Sequence, residues 1–140
     1  MGESLGGGVA SELALRESLG GLVLQSTYTS ITDVGAELFP WLPVRWIGRI
    51  KYDTHARLRR IKVPLLVMHS RADGLIGFPH AEKNFAAANE PKMFWEISGR
   101  HNQFLEADRT RYLEGLNKFL SWLEAAQEEQ PSEAKTGEQR

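Results

Sequence analysis

The strongest hydrophobic signal along the chain is "VPLLVMHS" (63–70), which is continuously apolar after Pro64 and does not alternate. Such a run marks a strand covered on both faces. "LVLQS" (22–26) and "KMFWEIS" (92–98) are shorter runs of the same kind and predict two further strands. Helical spacing separates them. Val9, Leu13 and Ala14 fall on one face, with Glu12 and Arg16 off it, and Gly20-Gly21 ends that helix. In 78–90, Pro79 suits a first turn and Ala81, Phe85 and Ala88 share a face. Leu113, Leu116, Leu120 and Leu123 recur at helical spacing within a last helix over 106–127. Residues 27–62 break the rhythm, mixing Phe39, Trp41 and Trp46 with prolines and many basic residues, and predict short helices and loops.

The resulting order is helix, strand, irregular insert, strand, helix, strand, helix. Strands alternating with helices predict an α/β domain: about three parallel strands flanked by helices. The domain spans 1–127 with 27–62 as an insert, and the polar tail 128–140 is expected to be disordered. There is no internal repeat.

Composition narrows the function classes. A chain of 140 residues, 41% hydrophobic and 25% charged, can bury one core. A formal net charge of −1 offers no general attraction to nucleic acid. The basic stretch from Arg45 to Lys62 alternates with Trp, Ile and Leu, which fits a solvated helical face better than a phosphate track. The absence of cysteine excludes disulfides and thiol catalysis. No run approaches the ~18 apolar residues of a membrane span, and residues 1–15 lack the features of a signal peptide. The compartment stays open, with the cytoplasm as the default.

In an open parallel sheet, chemistry gathers at the carboxyl ends of the strands. Asp73 follows the second predicted strand directly and His101 follows the third. At the front, Gly2-Glu3-Ser4-Leu5-Gly6 is a G-x-S-x-G pattern ahead of a helix, whose N-terminus suits a developing oxyanion. Alone the pattern is weak, since chance places one in about 5% of chains this long. The order Ser, Asp, His supplies a nucleophile, a carboxylate to orient the base, and a base near neutral pH. Each residue also has a plainer reading: Ser4 as a helix N-cap, Asp73 as a turn residue before Gly74, and His101 as a solvated loop histidine. Of the other histidines, His69 is expected to be buried and to support the loop that follows it, whereas His55 and His80 are expected to be exposed. The four histidines show no metal-ligand spacing.

These residues resemble the carboxy-terminal half of an α/β-hydrolase, most closely the Bem46-like serine hydrolases. The likeness runs over roughly residues 1–123. It is carried by Gly2-Glu3-Ser4-Leu5-Gly6-Gly7 at the nucleophile elbow, "PLLVMHSRADGLIGF" (64–78) and "ISGRHNQ" (97–103). It implies Ser4 as nucleophile, Asp73 as orienting acid, His101 as base and Leu5 as donor of one oxyanion-hole N–H. It also implies cleavage of a small-molecule ester or thioester through an acyl-enzyme, with no metal or organic cofactor. Two features depart from the family. Gly77 stands where a proline is usual, and the strands ahead of the elbow are missing, together with the loop that gives the second oxyanion N–H.

That departure leaves three situations: a truncated record of a longer enzyme, two half-chains that assemble, or a residual protein without hydrolytic role. In each, the open sheet edge invites a homo-oligomer or a missing amino-terminal half as partner. The insert reads equally as a lid shaping an apolar pocket or as aromatic packing over the sheet.

Overall fold

The computed structural model describes residues 1–43 and 52–128. Arg45, Trp46, Arg49 and Lys51 of the insert, and the tail from 129 on, lie outside the described residues. The elements are β1 (Gly2–Glu3), α1 (Gly6–Arg16), β2 (Leu22–Gln25), α2 (Ile31–Leu38), α3 (Thr54–Leu58), β3 (Leu65–Ser70), α4 (Phe78–Ala87), β4 (Lys92–Ile97) and α5 (Phe104–Glu128). All four strands are parallel and lie in chain order, β1-β2-β3-β4. This is one strand more than the hydrophobic pattern predicts. Gly2 and Glu3 are too short a run to register as apolar, yet they pair with Leu24 and Gln25. Ser4 N–H extends the ladder to the Gln25 carbonyl at 2.9 Å.

β3 is the centre of the sheet, and every one of its residues is buried. Its alternating side chains feed two cores. Leu65 and Val67 point to the face covered by α1, α3 and α4, where Leu22, Leu24, Leu58 and Ala81 gather. Leu66 and Met68 point to the other face and meet Ile97, Tyr112 and Phe119 under α5. Burial on both faces is what a continuous apolar run encodes.

Two helix faces differ from the expected ones. In α1 the buried positions are Gly7, Gly8, Ser11 and Ala14, while Val9 and Leu13 are 58% and 49% exposed. Small residues win this face because the helix sits hard against the segment after β2: a Cβ on Gly7 would collide with the Thr27 side chain. In α5 the buried stripe is Tyr112, Gly115 and Phe119, with Leu113 and Leu120 turned to the exposed side. The leucines and this stripe run one residue apart. Gly115 settles the choice, because its missing side chain lets Trp95 of β4 close against the helix. Asp108 breaks the first turn of α5 with φ −162° and caps the rest by accepting from Arg111 N–H at 3.0 Å.

Candidate active site

Ser4 stands between β1 and α1 in a turn that holds it at φ 50°. This left-handed conformation is uncommon for a side-chain-bearing residue, and such strain tends to collect at functional sites. Two constraints impose it: the β-type bond from Ser4 N–H to Gln25, and the start of α1, where Gly7 N–H reaches Ser4 C=O at 3.1 Å. Gly2 makes the turn possible, since a Cβ there would lie 2.6 Å from both the Gly6 carbonyl and the Ala10 Cβ. A Cβ on Gly6 would face open space, whereas Gly7 and Gly8 admit the side chains of Thr27 and Tyr28.

The loops after β3 and β4 bring the other two candidates to the same rim. His101 Nε2 lies 2.8 Å from Ser4 Oγ, and His101 Nδ1 lies 2.7 Å from Asp73 Oδ2. An ionised carboxylate only accepts, so Nδ1 carries the proton and Nε2 is left to accept from the serine hydroxyl. The hydroxyl makes no capping bond to α1, so the N-cap reading of Ser4 fails on geometry. The Asp73 side chain is fully buried and divides its work. Oδ1 accepts from Leu75 and Ile76 N–H, both at 2.9 Å, and Oδ2 faces the imidazole. The turn role and the histidine-orienting role of Asp73 therefore coexist on separate oxygens. Gly99, at φ 96°, turns the chain two residues before His101.

His69 supports this loop from below, as expected. It is fully buried, and its Nε2–H donates to the Ile76 carbonyl at 2.8 Å. Burial holds its pKa below the usual 6.5, opposed by the Ile76 bond and the nearby Asp73 charge. His80 departs from its expected exposure. It is 2% exposed, accepts from Thr29 N–H at Nδ1 (3.1 Å), and donates from Nε2 to Glu37 at 2.9 Å. His55 is half-buried and not open, beside the Arg59 guanidinium at 3.1 Å. Arg57 is likewise drawn off the solvated face: it pairs with Glu12 at 2.7 Å and donates to the Gly8 carbonyl at 3.2 Å, tying α3 to the start of α1.

Leu5 opens α1, and among the described residues no carbonyl accepts its N–H. Its carbonyl is held by the Tyr28 hydroxyl at 3.2 Å. Beside Ser4 lies a cleft of about 300 Å³. It is lined by Leu5 and Tyr28, by Ile31, Val34 and Leu38 of α2, and by Leu75 and Ile76 of the Asp73 loop. Phe39 and Trp41 stack edge-on to each other, and Trp41 is 77% exposed, while the pocket wall comes from "ITDVGAEL" (31–38). Short helices are expected in 27–62, and this is one of them, though the pattern does not set its bounds. Its signals are Ser30, which caps by accepting from Asp33 N–H at 3.0 Å, and apolar residues at 31, 34 and 38. No group of three or more acidic or histidine side chains able to hold a metal occurs among the described residues.

No protein-family profile matches the chain. It is 36% identical over 121 residues to the uncharacterized protein Rv2307c of Mycobacterium tuberculosis, covering 86% of this chain and 43% of that protein. It is 30% identical over 127 residues to the uncharacterized protein YfhR of Escherichia coli O157:H7, covering 85% and 43%. The chain thus spans less than half the length of these curated relatives. Among solved structures it superposes on the Pyrococcus furiosus esterase Pf2001 with a TM-score of 0.67 at 19% identity, covering 86% of this chain and 52% of that one. The esterase domain of a Rhodothermus marinus protein gives 0.63 at 18% identity, covering 85% and 59%. The fold is therefore a partial α/β-hydrolase fold: four parallel strands flanked by helices.

Proposed function

We propose that the chain carries the reacting residues of a Bem46-like serine hydrolase that cleaves carboxylic esters or thioesters. The observation that carries the reading is the bridge made by His101, whose two ring nitrogens face Ser4 and Asp73 at 2.8 and 2.7 Å. In the proposed reaction Ser4 Oγ attacks the acyl carbon while its proton passes to His101 Nε2. The Oγ–C bond forms, and the negative charge on the former carbonyl oxygen faces the Leu5 N–H at the start of α1. The bond to the leaving group then breaks, and Nε2–H protonates the departing alkoxide or thiolate. Water repeats the sequence: it attacks the acyl-enzyme, loses a proton to Nε2, and displaces Ser4, which takes the proton back. The products are the acid and the alcohol or thiol. Asp73 stays ionised and stabilises the transient imidazolium. No step needs a metal or organic cofactor.

Leu5 N–H would serve as an oxyanion donor, a contact worth roughly 10²–10³ in rate. The test is labelling by a fluorophosphonate probe, which requires an activated serine but not a full catalytic cycle. Label on Ser4 that disappears in His101→Ala supports the reading. A folded protein that takes no label argues against it.

A second reading is a non-catalytic interaction module that pairs through its sheet edge. β1 favours it, because its two residues pair on one side only, with β2. On that reading the protein associates with another chain and Ser4→Ala has no consequence.

A further inference from the structure

The cleft beside Ser4 has a direction, and this distinguishes the two halves of an ester. His101 must protonate the leaving group, so that group has to lie on the imidazole side of Ser4. Among the described residues, the imidazole does not line the cleft. Its walls are Leu5, Tyr28, α2 and the Leu75-Ile76 turn, and neither His101 nor Asp73 belongs to them.

The chemistry of the walls is equally one-sided. Among the described residues, no charged side chain lines the cleft. The Tyr28 hydroxyl is committed to the Leu5 carbonyl, which leaves Ser4 Oγ, itself bonded to His101, as the reactive polar atom at its end. Ile31, Val34 and Leu38 recur at helical spacing on one side of α2, yet no residue of α2 is buried. Leu5, Leu38 and Leu75 are each about half exposed and converge on the same opening. An apolar surface left uncovered beside a nucleophile is what an apolar substituent would fill.

We propose that this cleft is the acyl subsite, and that it selects uncharged, unbranched aliphatic acyl groups of limited length. The proposal rests on the hydrolase reading and adds the part of the substrate that is recognised. At about 30 Å³ per heavy atom, a cleft of about 300 Å³ holds roughly ten. Helix α2 sets the limit. Its apolar stripe faces the cleft, while Glu37 on the far side is hydrogen-bonded to buried His80 of α4.

The experiment compares two series on the full chain. In the first, p-nitrophenyl esters from acetate to hexadecanoate keep the leaving group and lengthen the acyl group. kcat/KM is expected to rise roughly threefold per methylene up to about the octanoate, then to fall. A succinate monoester, charged at its end, should be rejected. In the second series the acyl group is fixed and the alcohol lengthened, and the profile should be flat. Val34→Trp should move the acyl optimum to shorter chains, with circular dichroism confirming the fold. A flat acyl profile, a length dependence in the alcohol series, or an optimum unmoved by Val34→Trp overturns the proposal. If no ester turns over, Ser4→Ala is titrated with octanamide and the Val34, Leu38 and Leu75 methyl resonances are followed. Shifts confined to those methyls support the subsite even though the hydrolase reading has failed. No shift overturns the subsite as well.

Discussion

At Asp73 the two carboxylate oxygens do separable jobs, and a single substitution isolates them. In Asp73→Asn the amide oxygen can still accept from Leu75 and Ile76, so the turn should persist. The amide NH₂ would then face His101 Nδ1, and two donors cannot pair. The imidazole should flip its proton to Nε2 and lose its capacity to accept from Ser4. Fluorophosphonate labelling is expected to slow by about 10⁴, with little change in melting temperature. Equal losses of labelling and stability would assign Asp73 to the loop alone. His69, one layer below, makes a second prediction. Its pKa is lowered in the folded chain, whereas an unfolded imidazole titrates near 6.5. Between these two values the unfolded state binds more protons, so stability falls as pH drops below about 6.5 and is constant in this term above it. Urea unfolding from pH 7.5 to 5 should show this slope, and His69→Gln should flatten it while keeping a donor for the Ile76 carbonyl. At this scale the sequence is informative. Asp73 and His101 follow strand ends visible as apolar runs, and Ser4 sits in a G-x-S-x-G pattern, so their positions could be read before their distances were known. His80 could not, because its burial comes from Thr29 and Glu37, more than forty positions away.

Among the elements, α2 shows why the candidate triad is easier to read than the pocket. Its eight residues are too few for a strong period, and the neighbouring prolines and tryptophans draw attention to the wrong part of the insert. Its role depends on being held. The Thr29 hydroxyl donates to Asp33 at 2.8 Å, and Glu37 accepts from His80, so the face opposite Val34 and Leu38 is anchored at two neighbouring positions. Glu37 is largely exposed, but without it the buried His80 Nε2–H loses its acceptor, at a cost of about 1 kcal/mol. Freed on that side, α2 should give way to longer acyl groups. Glu37→Ala is thus expected to raise the ratio of dodecanoate to hexanoate turnover with a small drop in melting temperature. His80→Ala should produce the same broadening with a loss of about 1–3 kcal/mol, since it also strips the buried Thr29 N–H of its acceptor. The α5 stripe teaches a related lesson. Four leucines at helical spacing fixed the existence of the helix, but Gly115, silent in any hydrophobicity pattern, decides which side meets the sheet.

For the molecule as a whole, the distribution of apolar surface is uneven, and this bears on what the chain does in solution. At one flank β4, paired on one side only with β3, has a face covered by α5 near Tyr112 and Phe119. The other flank ends at β1, two residues long and paired on one side. Beside it, α1 presents Leu5, Val9 and Leu13 in one stripe, each about half exposed or more. The stripe is bordered by the paired charges of Glu12 with Arg16 and Arg57. An open backbone edge next to an exposed apolar stripe is a template for another chain. The curated relatives carry more than twice the length of this chain, so further polypeptide of the same fold is one natural cover for that flank. In its absence a second copy is the remaining source of strands. The purified chain is therefore expected to run above its monomer mass of 15.8 kDa in light scattering. Replacing Val9 and Leu13 by lysine puts charge on exposed positions, which leaves the buried Gly7–Ser11–Ala14 face and the Ser4 turn intact. That double variant should run as a monomer with its His101–Ser4 contact preserved, and fluorophosphonate labelling measured on it separates the two proposed roles. A monomer that still labels makes the edge dispensable for the chemistry. A monomer that no longer labels ties the geometry of Ser4 to a neighbour on β1, as expected if the left-handed turn needs support from both sides of its strand.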